Sequence, residues 1–94
     1  MAVHEVRSQA ARTDSGVLLL GVDRETMRVE FAGHVLHVAV DRGLSSYGFY
    51  LPAEPVWDDS VALSAQELAV VKDAIVEIQR FWGFAVDFHV LGVD

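Results

Sequence analysis

Cysteine is absent from this chain of 94 residues. A disulfide framework and a thiolate metal centre are both excluded, so a domain this small must stand on packing or on contacts between copies. Basic charge is scarce as well: seven Lys and Arg face 14 Asp and Glu, for a net charge of −7. Phosphate binding needs clustered cations that release counterions, and no such cluster occurs, so nucleic acid is not an expected partner. Long apolar runs are also missing. GVLLLGV at 16–22 is the longest and falls far short of the roughly 20 residues of a bilayer span, so no membrane association is expected. The opening MAVHEVRSQAARTDS has no apolar core of signal-peptide length, which points to a cytoplasmic protein. There is no G-x-S-x-G elbow and no phosphate-cradling glycine loop, which removes the commonest nucleophile and nucleotide motifs.

What is present is ample apolar surface. With 52% hydrophobic and 22% charged residues, the chain can offset its conformational entropy, and its length suits one modest core. The charge is uneven: residues 46–94 carry Lys72 and Arg80 against eight acids, or −6 of the total. An acidic balance of this kind favours solubility and a basic protein partner.

Hydropathy patterning supplies the elements. SGVLLLGVD at 15–23 is apolar on both faces and bounded by turn residues, as in a central strand. TMRVEFAG at 26–33 alternates, with Met27, Val29 and Phe31 on one side, and the turn Asp23-Arg24-Glu25 lets it pair with the preceding strand. In HVLHVAVD at 34–41, Leu36, Val38 and Val40 share one face and Val35, His37, Ala39 and Asp41 the other. SYGFYL at 46–51 places Tyr47, Phe49 and Leu51 together, and PAEPVWDDS, with two prolines and three acids, is a loop. A helix is predicted over about 64–82: Ser64 and Glu67 form a capping box, and Leu68, Val71, Ile75, Ile78 and Trp82 recur as one apolar stripe. FAVDFHVL at 84–91 alternates again, with Phe84, Val86, Phe88 and Val90 inward. The expected architecture is α+β: a four-to-five-stranded, mainly antiparallel sheet in the order β-β-β-β-α-β, with one helix packed on one face. Residues 1–14 are expected to be an N-terminal arm or an edge strand, VHEVR, ahead of a single domain at 15–94.

Two groups of residues are candidates for function. The polar sheet face carries His37, Asp41, Asp87 and His89. If the last strand lay beside residues 34–41, His37 and His89 would approach one another with a carboxylate nearby, a set of zinc or ferrous type. Solvated strand faces routinely carry such residues, however, and His34 and His37 point to opposite sides of an extended strand, so no metal and no cofactor is expected. The second group is the loop at 54–59, with Glu54, Trp57, Asp58 and Asp59. A tryptophan ringed by acids has the composition of an interface anchor. The commoner arrangement in small domains is a lid folded back on the protein's own core.

The succession of alternating strands, an S-Y-G-F-Y strand, a loop carrying W-D-D and a helix opened by L-S-x-x-E resembles small immunity proteins of bacterial polymorphic toxin systems, over roughly residues 16–82. The resemblance implies a non-enzymatic protein that binds and blocks a cognate toxin, and it carries no catalytic residue. An acidic inhibitor suits electrostatic steering onto a basic toxin domain. The expected function is therefore protein binding. The alternatives are a homodimeric small-molecule-binding module and a minor enzyme using the His/Asp face. A homodimer is expected from the surplus of apolar residues around the helix and from Val35, Ala39, Ala85 and Leu91 on the outer sheet face.

Overall fold

The computed structural model describes residues 2–91. Strands β1 (Val3–Arg7), β2 (Ala10–Thr13), β3 (Leu18–Gly21), β4 (Thr26–Phe31), β5 (His34–Arg42) and β6 (Ser46–Pro52) precede helix α1 (Ala65–Phe81) and strand β7 (Ala85–Leu91). They form one seven-stranded sheet in sequence order. The first six strands run as an antiparallel meander, and β7 lies parallel to β6 after the helical crossover. The α+β class and the single helix are as expected, but the strand count of four to five is corrected to seven.

The added strands come mostly from the N-terminal segment. VHEVR is an edge strand, and AART beside it is a further strand that residue type alone does not suggest. Ala11 pairs with Leu19 and Ala10 with Leu20, and both alanines are buried. Their small side chains let neighbouring chains close over them. The pairing of 26–31 with 34–42 turns through Ala32 and Gly33, both at positive φ, which is the two-residue hairpin geometry that matches strand twist.

Helix α1 begins at the capping box of Ser64 and Glu67. It stops in a Schellman arrangement, with the Gly83 amide donating to Arg80 O and the Phe84 amide to Gln79 O, at 3.0 and 2.8 Å. Gly83 takes the left-handed φ of +93° that this motif requires. The helix backbone approaches β1, β2 and β7, strands from both ends of the order, so the sheet curls around it. Val71, Ala74, Ile75 and Ile78 are buried against Leu19, Met27, Val29, Leu36, Val38, Val40, Phe49 and Leu51. Val90, expected to face inward, is half-exposed instead, as is Phe81 at the end of the helix, because both lie at the margins of this contact. Among the described residues no helix is long and apolar enough to cross a membrane.

Candidate functional site

The two candidate groups meet in an unexpected way. β6 pairs with β5 only over Ala39–Arg42, which leaves the carbonyl of Val35 without a strand partner on that side. The loop after Pro52 returns to fill the gap: the Asp58 amide donates to Val35 O at 2.8 Å. The loop is itself a small hairpin, with a bridge between Val56 and Ala62 and a turn in which the Ser60 amide donates to Trp57 O.

This return places successive aspartates on opposite faces of β5. His37 Nδ1 donates to Asp58 Oδ2 on the outer face and His34 Nδ1 to Asp59 Oδ2 on the inner, each at 2.7 Å. HVLH and WDD thus form a clasp that grips the strand from both sides. Trp57 lies between, 1% exposed, its ring stacked on His34 at 5.3 Å between centroids and 15° between planes. The tryptophan is the lid of the core and not an exposed anchor. Of the loop group, Glu54, Asp58 and Asp59 remain at the surface.

Partial desolvation pushes the Asp59 carboxyl up. The His34 hydrogen bond, the Val61 amide and the field of His34 outweigh it and hold the group below its ordinary value. Both pairs are substantially solvated, so water screens them and neither is a large contributor to stability. An Asp-oriented imidazole is the geometry of a general base. Among the described residues, however, neither His34 nor His37 has a hydroxyl hydrogen-bonded to its other nitrogen.

The polar-face group divides. β7 lies beside β6 and not β5, so the adjacency that would bring His37 to His89 does not occur. Asp41, Gly48 and Asp87 do share one row across the three strands, and Tyr50 pairs with Ala39 and His89 in the next. Gly48 makes room for the imidazole: a Cβ there would stand 3.3 Å from His89 Cδ2 and Nε2 and 3.6 Å from Asp41 Cβ. His89 stacks on Tyr50 with ring centroids 4.9 Å apart. Asp41, Asp87 and His89 therefore surround one patch, with His37 and Asp58 at its border. Among the described residues no three His, Asp or Glu side chains come together in a way that could hold a metal ion.

Sequence reasoning missed the role of Tyr50, which it left on the unassigned side of its strand. The signal was there in SYGFY, where a glycine between two tyrosines marks a place for another side chain to lie across the strand. Comparison with protein-family models, with curated proteins and with solved structures finds no match.

Proposed function

We propose that the protein acts by binding a basic protein domain through the β5–β7 half of its outer sheet face, as an inhibitor of the immunity-protein kind. The observation that carries this reading is the composition of that half-face. Its outward positions on β5, β6 and β7 include Asp41 and Asp87 and no lysine or arginine, and His37 holds Asp58 at the border of the same face. At its centre the stacked Tyr50 and His89 give a rigid aromatic platform. Aromatic centres ringed by charge are where binding energy concentrates, and the carboxylates steer a cationic partner onto them. On the β3–β4 side the charge is already spent, since Arg28 pairs with Glu30 at 3.0 Å.

The test uses the product of the gene adjacent to this chain's own, purified and titrated calorimetrically. Binding is expected, with Tyr50→Ala weakening it by about 2 kcal/mol or more. Asp41→Asn and Asp87→Asn are expected to slow association and flatten its dependence on salt. A neighbour that does not bind, or that binds Tyr50→Ala within about twofold of wild type, overturns the proposal.

A further inference from the structure

On the opposite, inner face, where the C-terminal end of α1 meets the β1–β2 hairpin, lies a cleft of about 300 Å³, at the small end of the range of ligand sites. Its walls include Met27, Arg42, Tyr47, Gln79, Trp82 and Phe84. Gln79 is the unusual member. It is 0% exposed, its Nε2 donates only to the thioether of Met27 at 3.5 Å, and its Oε1 has no partner. Turning the amide over would set oxygen against sulfur, both acceptors, so the unpaired atom is the oxygen. An unpaired buried carbonyl is costly and marks a place where a partner belongs.

The other walls say what that partner looks like. Tyr47 and Phe84 rings meet at 4.6 Å between centroids, and Trp82 joins them on the wall. These are surfaces for a flat ring. The Arg42 guanidinium is engaged on one side, lying 5.6 Å from the Tyr47 ring centroid with Nη2 donating to Asp23 O at 2.7 Å, while its Nε is buried without a partner. Glu5 on the rim adds negative charge. A carboxylate would meet the Arg42 Nε–H but set its oxygens against the Gln79 oxygen and the charge of Glu5, whereas a neutral donor gains the Gln79 oxygen.

We infer that this cleft binds a small planar aromatic molecule carrying an N–H donor beside its ring, with Gln79 Oε1 as the acceptor and Tyr47, Trp82 and Phe84 as the stacking walls. The site is separate from the outer face and does not depend on the protein-binding reading.

The experiment titrates the full chain with benzamide and, separately, with benzoate, which has the same ring and no donor. The readout is the set of ¹⁵N–¹H resonances of the Gln79 side chain and the Trp82 indole. Saturable shifts of both are expected with benzamide at about millimolar concentration, and benzoate is expected to bind about tenfold more weakly or worse, since it leaves the carbonyl unpaired. Gln79→Leu is expected to abolish the preference for benzamide over benzoate. Ser8→Trp, at an exposed rim position whose substitution does not touch the core, is expected to close the cleft and remove saturation, and it serves if Gln79→Leu does not fold. Benzamide that fails to saturate, benzoate that binds equally well, or benzamide affinity unchanged in Ser8→Trp would each overturn the inference.

Discussion

Replacing Trp57 with alanine removes a ring that is 1% exposed and belongs to the core cluster with Leu36, Val38 and Ile75. Truncation of a buried aromatic costs about 3 to 5 kcal/mol. One term works the other way: the indole Nε1 is buried without a partner, and its removal returns roughly 1 kcal/mol or more. Loss of the stacked face on His34 then loosens the clasp on which Asp59 rests. The expected net loss is about 3 kcal/mol, a large share of the ~5 to 15 kcal/mol that holds a domain of this size. With a urea slope of about 1.5 kcal/mol/M, the midpoint falls by about 2 M. Trp57→Phe keeps an aromatic face and deletes the unpaired N–H, so it is expected to cost only about 1 kcal/mol. Urea titrations of the two variants against wild type decide the matter. An alanine variant within about 1 kcal/mol of wild type, or a phenylalanine variant as damaged as the alanine one, would refute the lid and its energetics.

The remaining expectations concern the clasp, the sheet edge and the helix start. Because Asp59 titrates below its ordinary 3.8 in the folded chain, its contribution is present above that value and is lost as pH falls through the folded one. Acid denaturation followed by circular dichroism should therefore be less steep below about pH 4 in Asp59→Asn than in wild type, and identical curves would count against the pair. His37→Gln and His89→Gln should each leave stability within about 1 kcal/mol; a bound transition metal found by elemental analysis, and lost on either change, would reverse that reading. Among the described residues the outer edge of β7 has no strand partner, and exposed Val90 and Leu91 lie on that strand, so the expected homodimer joins two β7 strands. Light scattering should give twice the chain mass for wild type and a lower mass for Leu91→Lys; a single-chain mass for wild type at micromolar concentration would remove the dimer. Ser64→Ala should cost about 1 kcal/mol by breaking the capping box, measured as a shift in thermal midpoint.

Dimerisation through the outer face is a weaker geometry than edge pairing. A two-fold axis there would bring Asp41 and Asp87 of one copy against the same carboxylates of the other, which is repulsive wherever they lose water. β1, at the other edge, is guarded by a register shift between Glu5 and Arg7 and by its exposed charged residues, both devices that discourage pairing. The edge at β7 and the acidic face beyond it are thus expected to suit different kinds of partner.

How far the chain's own letters carry the fold depends on whether the deciding force is local. Helix α1 was legible because Ser64, Glu67 and the stripe from Leu68 to Trp82 act within a few turns of one another. Strands β4 and β5 were legible because one face of each meets the core and the other does not, and alternation records that difference. AART was not, because Ala10 and Ala11 are buried by what Leu19 and Leu20 do across the ladder. Gln79 is a polar letter whose burial is imposed by the curl of the sheet around the helix. The clasp is the plainest case: neither HVLH nor WDD contains the reason they meet. That reason is the departure of β6 from β5 at Pro52, which strands the carbonyl of Val35 and admits the amide of Asp58 in its place. A backbone acceptor left without a partner draws the nearest free donor, and the side chains that travel with that donor, Trp57 inward and Asp58 outward, then fall onto histidines 20 or more positions earlier in the chain.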